Sequence, residues 1–227
     1  MKQAVLFDLG NTLVRYYTRA EWPSVLEQSM ANVSNLLRRQ GLPIPTPEEI
    51  ERRVAEENHE AQDCRVRPLD GRLCRIFGLD VPHALAPALC RAYLRATFEM
   101  AYVYEDTIPV LKTLRERGIR TAVVSNSPWG SPPEPWHEEL HRLGIAQHVD
   151  LAVFCGEVGW RKPARPIFDH AMERLGVTPD ECLFVGDDPR WDIAGPRAVG
   201  IEAVLIDRDG LSTEDSIKSL RELLEYL

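Results

Sequence analysis

Asp8, Ser125, Asn126, Lys162 and Asp187 are the residues of this 227-residue sequence whose types and settings suit chemistry on an anion. Asp8 ends the apolar run Ala4-Val5-Leu6-Phe7 and is followed by Gly10-Asn11, a turn pair. Ser125 and Asn126 end the run Thr121-Ala122-Val123-Val124, and Asp187 ends Cys182-Leu183-Phe184-Val185 after one glycine. An acid at the carboxyl end of a buried strand stands where open α/β sheets place their ligands. Asp8 and Asp187 at one edge repel unless a cation lies between them. Mg²⁺ suits that position, because it takes one or two carboxylates together with water and a substrate phosphate. A carboxylate can also attack as a nucleophile and form an aspartyl-phosphate. Lys162 is placed to neutralise a transferring group, and Ser125 and Asn126 to hydrogen-bond its oxygens.

These residues depend on the elements that carry them. Residues 4–7 read as a first buried strand. Trp22, Val25, Leu26, Met30, Val33, Leu36 and Leu37 then recur at helical spacing up to Gly41. Thr46-Pro47-Glu48-Glu49 is a capping box that opens a polar helix to about Asp63. A short helix over Leu69 to Phe77 and another over 82–102 follow. Beyond them helices and strands alternate. A helix from Ile108 to Gly118 precedes the strand at 121–124. A proline-rich loop from Ser127 to Pro135 leads to a helix ending near Gly144. Strands at 151–154, 182–185 and 203–206 alternate with helices over 167–175 and up to about Gly200. A last helix carries Ile217, Leu220, Leu224 and Leu227. The expected fold class is α/β, a Rossmann-like parallel sheet with helices on both faces. Residues 1–15 and 101–227 form its core domain, and 16–100 an inserted all-helical cap. Right-handed crossovers bring the strand carboxyl ends to one edge, and an insert just after the first strand sits over that edge.

Composition narrows the partners. There are 27 basic and 35 acidic residues, a net charge of −8, and no basic run, which favours neither nucleic acid nor an anionic membrane. No apolar run is long enough to span a bilayer. Met1-Lys2-Gln3 leads straight into the first strand, so no leader is expected. The five cysteines have no metal-ligand spacing, and a reduced, cytoplasmic protein with cysteines as small hydrophobes is expected. It is expected to act as a monomer or homodimer on a small molecule.

Four segments in order resemble the motifs of the haloacid dehalogenase-like superfamily. They are Phe7-Asp8-Leu9-Gly10-Asn11-Thr12-Leu13, Val123-Val124-Ser125-Asn126, Lys162-Pro163, and Gly186-Asp187-Asp188 with Asp192. The resemblance covers nearly the whole chain, and the helical insert resembles the family's cap of the first type. It implies a sheet order of 5-4-1-2-3. It implies Asp8 as nucleophile and metal ligand, the Gly10 carbonyl and Asp187 as further Mg²⁺ ligands, and Asp192 as an outer-shell support. Ser125, Asn126 and Lys162 would hold the phosphoryl group. The expected reaction is Mg²⁺-dependent hydrolysis of a small phosphate ester or acyl phosphate.

One position departs from the pattern. Most phosphatases of the superfamily carry a general acid/base aspartate where this chain has Gly10, a group typically worth roughly 10²–10⁴-fold in rate. Asp188, His59 and cap carboxylates are candidates to replace it. A metal-independent dehalogenase and a non-catalytic phosphate-binding protein are the alternatives. The phosphonate-cleaving branch needs a cap lysine, and the lysines here are at 2, 112, 162 and 218 only. Arg65, Arg67, Arg72 and Arg75 form a basic cluster in the insert, for which pairing with nearby acids is expected rather than substrate contact. Trp129 and Trp136 either wall the pocket or pack on neighbouring helices.

Overall fold

The structure, a computed structural model, describes residues 2–58, 62–210 and 215–227. Its strands are β1 (Ala4–Phe7), β2 (Val14–Arg15), β3 (Tyr102–Val103), β4 (Arg120–Ser125), β5 (Leu151–Phe154), β6 (Cys182–Gly186) and β7 (Glu202–Leu205). The helices are α1 (Trp22–Arg39), α2 (Pro47–Glu57), α3 (Leu69–Phe77), α4 (Ala86–Phe98), α5 (Thr107–Glu116), α6 (Pro133–Arg142), α7 (Cys155–Val158), α8 (Arg165–Leu175) and α9 (Gly195–Ala198).

Five strands form one parallel sheet in the order β5-β4-β1-β6-β7. Counted over these five alone, the order read from one edge is 3-2-1-4-5. The chain moves outward from β1 through β4 to β5, then returns to β6 on the other side of β1. The order therefore reverses between β1 and β6, which opens a crevice at their carboxyl ends. The sheet is covered on both faces, as its uninterrupted apolar runs require. Val5 and Phe7 enter one core with Leu111 and Leu114 of α5 and Leu140 of α6. Ala4 and Leu6 enter the other with Ile167, Phe168 and Ala171 of α8.

Between β1 and β4 the chain runs through α1 to α4, which pack α1 on α4, α3 on α4 and α2 on α3. The capping box at Thr46 is complete: Glu49 N donates to Thr46 Oγ1 at 3.3 Å and Thr46 N to Glu49 Oε2 at 3.2 Å. α2 ends at Glu57, short of the expected Asp63; residues 59–61 lie outside the described ones. β2 and β3 pair antiparallel at the base of this helical segment, through Val14 with Val103 and Arg15 with Tyr102. Two residues carry no readable period, so the sequence gives no sign of this ribbon. Thr107 Oγ1 adds a hydrogen bond to Leu13 O at 2.8 Å.

Two expected helices are replaced. After β6 a wide π-turn over Pro189–Ala194 leads into the short α9. Asp188 caps the turn by accepting from Arg190 N and Trp191 N, and Pro196 supplies no N–H to a continuous helix. Among the described residues after β7 only Glu222–Glu225 is helical, as a 3₁₀ turn. Ile217 instead pairs alongside β7, donating to Leu205 O and accepting from Asp207 N, both at 2.9 Å. The amide of Leu220 is taken by Asp106 Oδ2 at 2.8 Å, an oxygen that also accepts from Ser219 and Arg208. The apolar residues at 217 and 220 are buried as their spacing suggests, but through sheet-like and side-chain contacts. All five cysteines are free thiols, four of them buried. Among the described residues, no helix is long and apolar enough to cross a membrane.

Candidate active site

Asp8 leaves the end of β1 with its amide bonded to Val185 O of β6 at 2.9 Å. Its side chain is buried and accepts on Oδ1 from Ser125 Oγ at 3.1 Å and from Lys162 Nζ at 2.6 Å. Lys162 also donates to Asp192 Oδ1 at 2.7 Å. Ser125 arrives on the end of β4, Lys162 from the loop before α8, and Asp192 from the π-turn after β6. Asp8 and Lys162, 154 positions apart in the chain, thus bond directly at the crevice.

The ammonium of Lys162 is 2 % exposed and sits between two carboxylates, with the Phe184 ring 5.2 Å away. Burial alone would lower its pKa, but Asp192 and Asp8 outweigh that and hold it above its ordinary value. Burial lifts the Asp192 carboxyl against the pull of Lys162. Its Oδ2 accepts from Asp188 N at 3.1 Å, so both oxygens are fixed. Gly186 makes room for this carboxylate: a Cβ there would stand 2.4 Å from Asp192 Cγ.

Asp187 completes the group. One carboxylate oxygen from each of Asp8, Asp187 and Asp192 lies within 4.8 Å of the others. Burial, then repulsion from Asp8 and Asp192, pushes the Asp187 carboxyl well above its usual range. Three carboxylates face one lysine, so the donor set carries surplus negative charge and only oxygen ligands, which fits a hard divalent cation such as Mg²⁺. This makes a prediction. Asp187→Asn should stabilise the metal-free protein by about 1 kcal/mol, a rise of roughly 2–4 °C in Tm. Mg²⁺ is expected to raise the Tm of the parent protein, and the variant should lose that further rise. Thermal scans with and without Mg²⁺ check both, and a lower Tm in the metal-free variant would contradict the charge argument.

Asn126 is drawn in differently from the phosphate contact its position suggested. Its Oδ1 accepts from Lys162 N at 2.8 Å and its Nδ2 donates to Lys162 O at 3.1 Å. The side chain therefore grips the lysine's backbone, and Asn126 also lines the cavity at Asp8. Asp188 is occupied as a cap, with Arg190 N at 2.9 Å and Trp191 N at 3.0 Å. Asp192 lies inside that turn and does not cap it. Gly10 lines the same cavity, of about 190 Å³, as Asp8, Ser125, Asp187 and Asp192. His59 lies outside the described residues.

Tyr16 and Thr97 also line this cavity, with buried hydroxyls that have no hydrogen-bond partner among the described residues. Sequence reasoning missed Thr97, because a threonine on an amphipathic helix carries no signal of its own. The two loop tryptophans divide. Trp136 is buried against Tyr16, Phe98 and Phe154 and also lines the cavity at Asp8. Trp129 stacks on Tyr93, donates to Asn58 Oδ1 at 3.2 Å and walls a second, larger cavity. Arg75 pairs with Glu57 and Arg67 with Asp63 at 3.6 Å, as their neighbourhood suggested; Arg65, Arg67 and Arg72 also line that second cavity.

A parallel sheet with acids and a lysine gathered at its switch point defines an α/β enzyme with its ligand site at the strand ends. The family model for haloacid dehalogenase-like hydrolases matches residues 2–200, and the chain belongs to that family. It is 35% identical over 211 residues to a glyceraldehyde 3-phosphate phosphatase of Methanopyrus kandleri, covering 92% of this chain and 85% of that protein. A protein of the same name from Methanothermobacter thermautotrophicus is 29% identical over 238 residues, covering 99% and 100%. A haloacid dehalogenase-like phosphatase structure from Thermococcus onnurineus superposes with a TM-score of 0.70 at 28% identity, covering 100% of this chain and 97% of that one.

Proposed function

We propose that this protein is a Mg²⁺-dependent phosphohydrolase of small phosphorylated metabolites, with Asp8 as nucleophile. The observation that carries this reading is the state of Asp8. Both of its side-chain hydrogen bonds, from Lys162 and Ser125, fall on Oδ1, so Oδ2 keeps its lone pairs for attack. In the first step Oδ2 bonds to phosphorus while the bond from phosphorus to the leaving oxygen breaks, giving an aspartyl-phosphate and the released alcohol or acid. In the second, water attacks phosphorus, returns the carboxylate and releases phosphate. Lys162 and Ser125 stay beside the reacting oxygens throughout, and Asn126 holds Lys162 in place. Asp8, Asp187 and the Gly10 carbonyl would hold Mg²⁺, with Asp192 behind them. When bound, the ion supplies positive charge to the transferring phosphoryl group. Residues 16–100 would serve as the cap that closes over the ester and excludes bulk water.

Phosphate release from a panel of small phosphate esters and acyl phosphates, with Mg²⁺ and with chelator, tests this beside Asp8→Asn. Turnover that requires both Mg²⁺ and Asp8 supports it. Halide release from haloacids without metal would replace it with the dehalogenase reading.

The glycine at position 10 leaves the leaving group without a side-chain acid. A Cβ at Gly10 would come no nearer than 3.9 Å to Tyr16 Cδ2, so the backbone accepts a larger residue. Gly10→Asp is therefore expected to fold and to raise turnover on alkyl esters, whose leaving groups need a proton, by roughly 10²-fold. Acyl phosphates should gain little. Equal or lower rates on both would mean that protonation of the leaving group is not limiting.

A further inference from the structure

The second cavity, of about 840 Å³, opens beside the first and shares with it walls made by Asn11, Tyr17, Asn126, Pro128, Asp188 and Trp191. Six arginines line it: Arg19, Arg65, Arg67, Arg72, Arg161 and Arg190. Among the described residues the only carboxylate lining it is Asp188, whose Oδ1 caps two amides; Arg67 also faces Asp63 at 3.6 Å, and Arg161 and Arg190 hold contacts of their own. The chain as a whole carries a net charge of −8, so this concentration of positive charge runs against the general balance.

The arginines are held in place by aromatic faces and backbone pairing. Arg65 lies 3.7 Å above the Trp160 ring, Arg72 is 5.4 Å from that of Trp129, and Arg190 is 4.6 Å from that of Trp191. Arg72 is buried, its Nη1 donates to Glu57 O, and its Nε has no partner among the described residues. The segment bearing Arg65 is clamped to the loop that ends in Lys162. Arg161 N donates to Cys64 O at 2.9 Å, Val66 N to Gly159 O at 3.1 Å, and Arg65 bridges Trp160. Arg161 directly precedes Lys162, and Arg190 stands two residues before Asp192. The arginine wall and the reacting centre are thus parts of the same loops, at a fixed separation.

We propose that the substrate carries a second phosphoryl group, which seats in this cavity while the first is transferred at Asp8. The inference rests on the phosphohydrolase reading and names its substrate class: a small diphosphorylated metabolite. Guanidinium forks match phosphate oxygens two at a time, and several forks suit a dianion better than a single carboxylate. The combined space suits a small metabolite and not a polymer.

Matched esters test it: fructose 1,6-bisphosphate against fructose 1-phosphate and fructose 6-phosphate, and 3-phosphoglycerate against glycerol 3-phosphate. The bisphosphate should exceed both monophosphates in kcat/KM by about tenfold or more, mainly through KM. The double variant Arg19→Gln with Arg65→Gln, both lining the cavity, should bring that ratio towards one, while Arg95→Gln, on an exposed helix end paired with Glu99, keeps it. Calorimetry on Asp8→Asn supplies a readout without turnover, in which the bisphosphate should bind at least about tenfold more tightly than either monophosphate. If no ester is hydrolysed, the phosphohydrolase reading fails while this binding preference still judges the cavity. Equal affinity for the bisphosphate and monophosphates, or a preference confined to the carboxylate pair, overturns the proposal.

Discussion

Replacing Asp8 with asparagine is expected to remove roughly 10⁴- to 10⁶-fold of phosphate release, the scale of losing a covalent nucleophile. The side chain keeps its shape, and an amide oxygen can still accept from Ser125 and Lys162 in place of Oδ1. What disappears is the negative charge and the second nucleophilic oxygen. The fold should survive, because Lys162 retains Asp192 as a counter-ion at 2.7 Å. Single-turnover assays with radiolabelled ester should detect phosphoryl-enzyme in the parent protein and none in the variant. Turnover within tenfold of the parent would rule out Asp8 as the nucleophile.

Lys162→Met is expected to damage stability as well as rate. The methionine fills much of the same space but leaves Asp8 and Asp192 buried without their cation. Breaking a buried pair in this way costs about 3–5 kcal/mol, or roughly 10 °C in Tm for a chain of this size. Turnover should fall by roughly 10²–10³-fold through loss of a charged donor. The pH dependence gives a separate test. The Asp192 carboxyl is already pushed up to about 7 by burial, with Lys162 pulling it down. In the variant that pull is gone, so its pKa in the folded protein stays above the unfolded value near 4. A group raised on folding contributes stability below its unfolded pKa and loses it as the pH rises through the folded one. The deficit should therefore be greatest above pH 7 and shrink as the pH falls towards 4. A deficit independent of pH would mean that lost packing, and not uncompensated charge, dominates.

The parts of this fold that the sequence announces are those with an uninterrupted pattern. Ala4 to Phe7, Thr121 to Val124 and Cys182 to Val185 are apolar runs ending in polar residues, and they are the central strands of the sheet. Because the end of a strand fixes the position of the next residue, Asp8, Ser125 and Asp187 fall at the crevice almost by necessity. Lys162 and Asp192 come from longer connections, and their positions were legible only through family resemblance. The parts that were not legible depend on competition between partners. Ile217 and Leu220 have helical spacing, yet their amides are claimed by β7 and by Asp106. Arg65 is exposed and Arg67 faces Asp63, as expected of a solvated cluster, but Arg72 is buried, because the sequence does not show the loops from 128 and 161 closing against it. Asn126 has the composition of a phosphate contact, and only the three-dimensional arrangement reveals its grip on the backbone of Lys162.

The ribbon formed by β2 and β3 has a bearing on how the chain reaches this state. Phe7 pairs with Val123 across 116 residues if the path runs through the four helices. Once Val14 has met Val103, the path is seven residues from Phe7 to Val14 and twenty from Val103 to Val123. Loop-closure entropy falls only logarithmically with length, so the saving is roughly 1 kcal/mol. It nevertheless falls on the strand pair that creates the site. The helical segment can form and zip its base as a unit with mostly local contacts, and the sheet then closes over a loop no longer than an ordinary βαβ crossover. Insertions within the helices lengthen the part of the chain that the ribbon has already removed from that search. The reacting centre can thus tolerate large changes in the structure above it without a corresponding penalty in its own assembly.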